Sequence, residues 1–131
     1  MADKRNFSGS RFVGGDWENG FGLQFNVADD GRVSVTFAFD ENKEGPAGLV
    51  HGGALAAVMD EAITVAAFVN NRGGLTVNLN VNFKAPVPIA AQVTAAGWIE
   101  KLDGRKTFLN AELRLTDGTL AVVATGIFIT L

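Results

Sequence analysis

His51, Gly52 and Gly53, followed nine residues after the histidine by Asp60, are the residues whose types and spacing could do chemistry. They stand at the start of, and inside, an apolar run that extends from Ala54 to Asn70. The run has helical length, roughly 18 residues or 27 Å at 1.5 Å per residue. A helix N-terminus offers free backbone N–H groups and the positive end of a dipole. Glycine there lets a ligand oxygen approach the backbone closely, which makes Gly52 and Gly53 candidate contacts. Only Asp60, Glu61 and Thr64 interrupt the apolar character. A carboxylate inside a buried helix is costly unless it is paired, protonated or used. The run holds no Lys, Arg or His, and the i±4 neighbours of Asp60 are Ala56 and Thr64. Adjacent helical residues point about 100° apart, so only one of Asp60 and Glu61 can face a given substrate. A polarising helix start and a buried acid two turns later make a candidate active site. His51 fits either a structural, orienting role at the helix start or direct catalysis.

The flanking sequence must position these residues, and it reads as strands. Phe21, Leu23, Phe25 and Val27 alternate with polar or small residues, as do Val33, Val35, Phe37 and Phe39. Such alternation marks half-buried strands, and Asp30-Gly31 between them marks a hairpin. Residues 1–18 read as an irregular arm carrying Phe12 and Trp17, and residues 40–50 as a loop holding Pro46. The helix is expected to end near Asn70-Asn71-Arg72, with Gly73-Gly74 as its C-cap. Beyond it, Leu75, Val77, Leu79, Val81 and Phe83 oppose Thr76, Asn78, Asn80, Asn82 and Lys84 until Pro86 and Pro88 end the strand. Strands from about Ala90 to Lys101, Lys106 to Thr116 and Leu120 to Leu131 follow, turning at Asp103-Gly104 and Asp117-Gly118. The last strand is apolar on both faces, which predicts a central place in the sheet.

Six strands and one helix that is apolar nearly all round predict an α+β fold in which a curled antiparallel sheet wraps the helix. The outer face of that sheet still holds Trp98 and Phe108, an apolar patch expected to be buried in an oligomer.

Length and composition narrow the chemistry. The 131 residues suit one domain with a substantial core, and 47% apolar residues exclude disorder. A net charge of -3 gives no reason to expect a nucleic-acid partner. The absence of cysteine excludes disulfides and thiol catalysis, and a single histidine makes zinc improbable. The polar start of the chain shows no signal peptide, and the apolar run with two acids at its centre is short for a membrane span. A cytoplasmic protein with no membrane contact is the expectation.

The order of elements, with a buried central helix, resembles the hotdog fold. Gly45-Pro-Ala-Gly-Leu-Val-His-Gly-Gly53 with Asp60 resembles the acyl-CoA thioesterases of that fold, of the phenylacetate-pathway type and its mitochondrial relatives. Asn19-Gly-Phe-Gly-Leu23 and Thr76-Val-Asn-Leu-Asn-Val-Asn-Phe-Lys-Ala-Pro86 are similar to the family's first strand and to its strand after the helix, so the resemblance covers residues 19–131.

The resemblance implies hydrolysis of an acyl-CoA thioester by a homodimer or dimer of dimers. No cofactor is implied, because coenzyme A is part of the substrate. The Gly52 N–H would polarise the carbonyl, and Asp60 of the other subunit would act as general base or nucleophile. Thr76 would orient the attacking water or the carboxylate. Many members carry Asn six residues before the His; here that position is Gly45, as in members that rely on Thr or Ser at the place of Thr76. Lys84, Lys101, Arg105 and Lys106 are cations suited to the phosphates of coenzyme A, and Glu61 is a further candidate contact. Two rival functions share these elements: a hotdog hydratase or dehydratase, and a non-catalytic acyl-CoA-binding module that would not need Asp60.

Overall fold

A computed structural model describes residues 6–7 and 21–131 of the chain. The strands are β1 (Asn6–Phe7), β2 (Phe25–Val27), β3 (Val33–Ala38), β4 (Gly74–Phe83), β5 (Gln92–Asp103), β6 (Lys106–Leu115) and β7 (Leu120–Thr130). Among the described residues one α-helix, α1 (Gly52–Val69), separates β3 from β4. The strands form one antiparallel sheet in the order β1-β2-β3-β5-β6-β7-β4. Among the described residues this is the expected curled sheet around one helix, with one strand more than the alternation predicts. The extra strand is β1, which falls within the expected N-terminal arm and pairs Asn6 with Asn26 and Phe7 with Phe25. The rest of that arm, with Phe12 and Trp17, lies outside the described residues.

The three Asp-Gly turns form as expected, and each places its glycine at positive φ: Gly31 at 88°, Gly104 at 58° and Gly118 at 91°. The Thr119 side chain and N–H hold the Asp117 carboxyl below the usual carboxylate range. The C-cap differs from expectation. Asn70 is the cap and Asn71 takes the left-handed conformation at φ 62°, one of the few non-glycine residues that tolerates it. Gly73 and Gly74 serve packing instead. A Cβ on Gly73 would press on the Phe68 ring, and one on Gly74 would overlap the Ile129 carbonyl.

The core lies between α1 and the concave face of the sheet. Phe25, Phe39, Phe128, Leu23, Met59, Ile63, Leu109 and Leu113 are fully buried there. Side chains of this size each contribute about 1.5–3 kcal/mol on burial. The helix approaches β5 so closely at Ala62 that a Cβ on Gly97 would lie 2.5 Å from the Ala62 carbonyl oxygen. By length and composition α1 could pass for a membrane span, but ten of its residues are buried inside the sheet.

Coverage of the helix is incomplete, contrary to expectation. Ala56, Asp60 and Thr64 are half-buried and Phe68 is exposed, and these form one stripe at four-residue spacing. β7 is an interior strand between β6 and β4, which accounts for its two apolar faces. β4 is therefore a sheet edge. The large exposed apolar residues also lie elsewhere than expected. Trp98 and Phe108 are half-buried, under Arg32 and Lys101 respectively, whereas Leu75, Val77, Leu79 and Phe83 are exposed along β4.

Candidate active site

The loop from Asp40 to His51 delivers the start of α1. Asp40 accepts the Asn42 N–H at 2.8 Å and pairs with Lys43 at 3.3 Å, which fixes a short 3₁₀ turn, Glu41–Lys43. Gly45 N–H donates to the Leu49 carbonyl and Leu49 N–H to the Pro46 carbonyl, both at 2.9 Å. The Glu44 carboxylate accepts the N–H of Gly48, whose φ of 79° favours glycine. Val50 N–H to the Val87 carbonyl (2.8 Å) and Ile89 N–H to the Gly48 carbonyl (2.9 Å) sew the loop to the segment after β4. Gly45 packs on the histidine: a Cβ there would stand 2.9 Å from the His51 Cα. That distance leaves no room for an asparagine in this backbone.

His51 is the N-cap of α1. Its Nδ1 accepts the Gly53 N–H at 2.8 Å, and its carbonyl accepts the N–H groups of Ala54 and Leu55 at 3.0 and 3.2 Å. Gly52 N–H has no acceptor among the described residues. It borders an apolar pocket of about 360 Å³ whose walls include Leu49, Val50, Leu55, Phe83 and Val87. A Cβ on Gly52 would meet only the Phe83 ring, at 3.7 Å. Gly53 is exposed, but its N–H is already spent on His51.

Two turns into the helix, Asp60 is half-buried on the uncovered stripe, and its Oδ1 accepts a hydrogen bond from the Thr76 hydroxyl at 3.0 Å. Regular alternation along β4 would place Thr76 on the outer face with Asn78, Asn80 and Asn82. A β-bulge at Val77 reverses this. Thr76 pairs with buried Phe128, and Val81 and Phe83 pair with buried Ala124 and Val122. Thr76 therefore shares the helix-facing side of β4 with Val81 and Phe83, while Leu75 turns outward. The extra residue re-aims one side chain, a recurrent use of bulges.

The structure brings His51, Gly52 and Gly53 together at one place and Asp60 with Thr76 at another. Glu61, one residue from Asp60, is buried at 5% exposure on a different face of α1. Exposed Lys84 lines the apolar pocket beside Phe83. Arg105 and Lys106 are not near it. They belong to the β5–β6 hairpin, where Arg72, just past the C-terminal end of α1, donates to the carbonyls of Gly104 and Lys106. That end is about 25 Å along the helix from Gly52. Arg105 itself donates to the Thr130 carbonyl at 3.0 Å. The residue that sequence reasoning did not single out is Phe83, read only as one of the apolar residues alternating along its strand but 54% exposed as a wall of the pocket beside Gly52. Pro86 and Pro88 just after it carried the available signal, because they end the strand there.

Arrangement and comparison agree on the class. The structure superposes on that of a thioesterase superfamily protein with a TM-score of 0.86 and 28% identity, over 92% of this chain and 59% of that one. A hypothetical thioesterase of Streptococcus pneumoniae, solved with coenzyme A, has the same fold at a TM-score of 0.75 and 20% identity, over 81% of this chain and 84% of that one. The fold is the hotdog fold. In sequence, the chain is 34% identical to a Bos taurus protein named acyl-coenzyme A thioesterase THEM4, over 100% of this chain and 56% of that protein. The model of the thioesterase superfamily matches residues 47–122, and the chain belongs to that family. It spans about half the length of the curated relatives it matches.

Proposed function

We propose that this chain hydrolyses acyl-CoA thioesters to a free acid and coenzyme A. The observation that carries the reading is the pairing of two features on one helix: a half-buried carboxylate held by a hydroxyl, and an unspent N–H at an apolar pocket. The relatives named acyl-coenzyme A thioesterase support the substrate class. The thioester carbonyl oxygen accepts the Gly52 N–H. A donor aimed at a developing oxyanion is worth about 2.7–4 kcal/mol. Asp60 takes the proton from a water molecule as the water oxygen attacks the carbonyl carbon. The tetrahedral intermediate then collapses, the C–S bond breaks, and the coenzyme A thiolate leaves and takes up a proton. In the alternative route the carboxylate attacks first and water opens the resulting anhydride. Thr76 holds Asp60 in either case. The reaction draws on no cofactor.

Gly52 and Asp60 are separated by about 12 Å along the axis, eight residues at 1.5 Å each. One carbonyl cannot reach both within a single chain, so the site takes Gly52 from one copy and Asp60 from another. The uncovered stripe of α1 and the apolar edge strand β4 support a homodimer or a dimer of dimers built over that face. Lys84 is placed to meet a phosphate of a substrate bound at the pocket. Arg105 and Lys106 could do so only for a site completed by another copy.

Release of free coenzyme A from a panel of straight-chain and aryl acyl-CoAs tests the reading. Turnover by the wild type and its loss in Asp60→Asn are expected. Binding without turnover by the wild type would make the chain an acyl-CoA-binding module instead.

A further inference from the structure

The first four N–H groups of a helix have no acceptor inside it. In α1 they belong to His51, Gly52, Gly53 and Ala54. The His51 N–H donates to the Lys43 carbonyl, and His51 accepts the last two, Gly53 through its ring and Ala54 through the carbonyl that also takes the first intrahelical bond, from Leu55. A ring nitrogen that accepts an N–H cannot itself carry a proton, so in the neutral imidazole the proton is on Nε2. The seat of the ring is built for this. A Cβ on Gly53 would lie 3.0 Å from Nδ1, and one on Gly45 would lie 3.2 Å from Cβ and 3.4 Å from Cδ2. Two glycines thus flank the histidine, one from the loop and one from the helix. The charged groups beside it are engaged elsewhere: Lys43 with the Asp40 carboxylate, and the Glu44 carboxylate with the Gly48 N–H.

We infer that His51 is a positioning residue for the proposed hydrolysis: its ring, held as the Nε2–H tautomer, closes the first turn of α1 and leaves Gly52 N–H as the single donor facing the substrate carbonyl. The inference rests on the thioesterase reading for its consequence and on the hydrogen bonds alone for its geometry. Nδ1 is occupied and cannot serve as the base. Ser, Thr, Asp and Asn are the usual N-caps. Of these, Asn can place an oxygen where Nδ1 stands.

The chain has one histidine, so its imidazole nitrogens give one assignable pair of NMR signals. Nε2 is expected to be the protonated nitrogen of the neutral ring. A proton on Nδ1 overturns the proposal, whatever becomes of the thioesterase reading. In the hydrolysis assay His51→Ala should lower kcat/KM roughly tenfold. His51→Asn should recover most of that loss, and His51→Gln, one methylene longer, should not. If His51→Asn is as slow as His51→Ala while melting like the wild type, the ring itself acts on the substrate and the proposal falls. If the wild type hydrolyses no acyl-CoA, the thioesterase reading fails separately, and the tautomer still decides the cap.

Discussion

At the start of α1 the group that faces the pocket belongs to the main chain, the Gly52 N–H, whereas two turns later, away from that pocket, the candidate groups are the side chains of Asp60 and Thr76. The first region is made by subtraction. Glycines at 45 and 53 leave space for the histidine ring and glycine at 52 leaves the pocket open, and among the four helix-end donors three are spent and one is left. The second is made by addition. A bulge turns one hydroxyl inward to meet a carboxylate on a stripe that the sheet does not cover. The first is therefore robust to charge changes but intolerant of volume, and the second the reverse. In the proposed hydrolysis the two would have to meet across a boundary between copies, because neither alone would both polarise a carbonyl and deliver a nucleophile.

Substitutions can break the comparison from either side. The largest effect is expected at the acid. Asp60→Asn keeps the volume and removes the base, so kcat should fall about 10²–10⁴-fold with KM little changed. Glu61→Gln should be the milder change, since that carboxylate is buried on another face. Steady-state kinetics of both would swap the assignment if Glu61→Gln proved worse. Next comes Thr76→Ala, with a loss of roughly tenfold, the scale of one hydrogen bond to a charged group. Thr76→Ser should restore the rate, and an unaffected alanine variant would return Thr76 to ordinary strand duty. Gly52→Ala is expected to be smallest. The added methyl meets only the Phe83 ring, so the melting temperature should hold or rise slightly with helix propensity. The methyl also enters the space of the carbonyl, so kcat/KM should drop several-fold, roughly 1 kcal/mol. A lowered melting temperature with intact specific activity would mean that Gly52 is there for packing.

Much of this was legible in the sequence, and the failures share one cause. The helix, the three Asp-Gly turns and the glycine-rich helix start follow from local rules of periodicity and φ. The inward face of Thr76 does not, because the bulge at Val77 is a property of how β4 pairs with β7. The residues themselves argued for the opposite face, and only the family resemblance singled Thr76 out. Likewise the open stripe on α1 and the exposed row Leu75, Val77, Leu79 and Phe83 depend on β4 lying at the edge. Strand order is a tertiary choice that alternation cannot report. Asn71 at the helix end is a smaller case: the paired glycines downstream looked like the cap, but close packing against Phe68 and Ile129 had claimed them.

Mixing two crippled variants tests the shared site most directly. Asp60→Asn retains the Gly52 donor, and Gly52→Val, with a branched side chain over the N–H, retains the acid. Each should be folded and nearly inactive alone. After denaturation and refolding together, half of randomly assembled dimers are mixed, and one of the two sites in each is intact. Activity should return to roughly a quarter of the wild-type level. If each chain carried a complete site of its own, no mixed assembly would hold an intact one, and the mixture would be no more active than its parts.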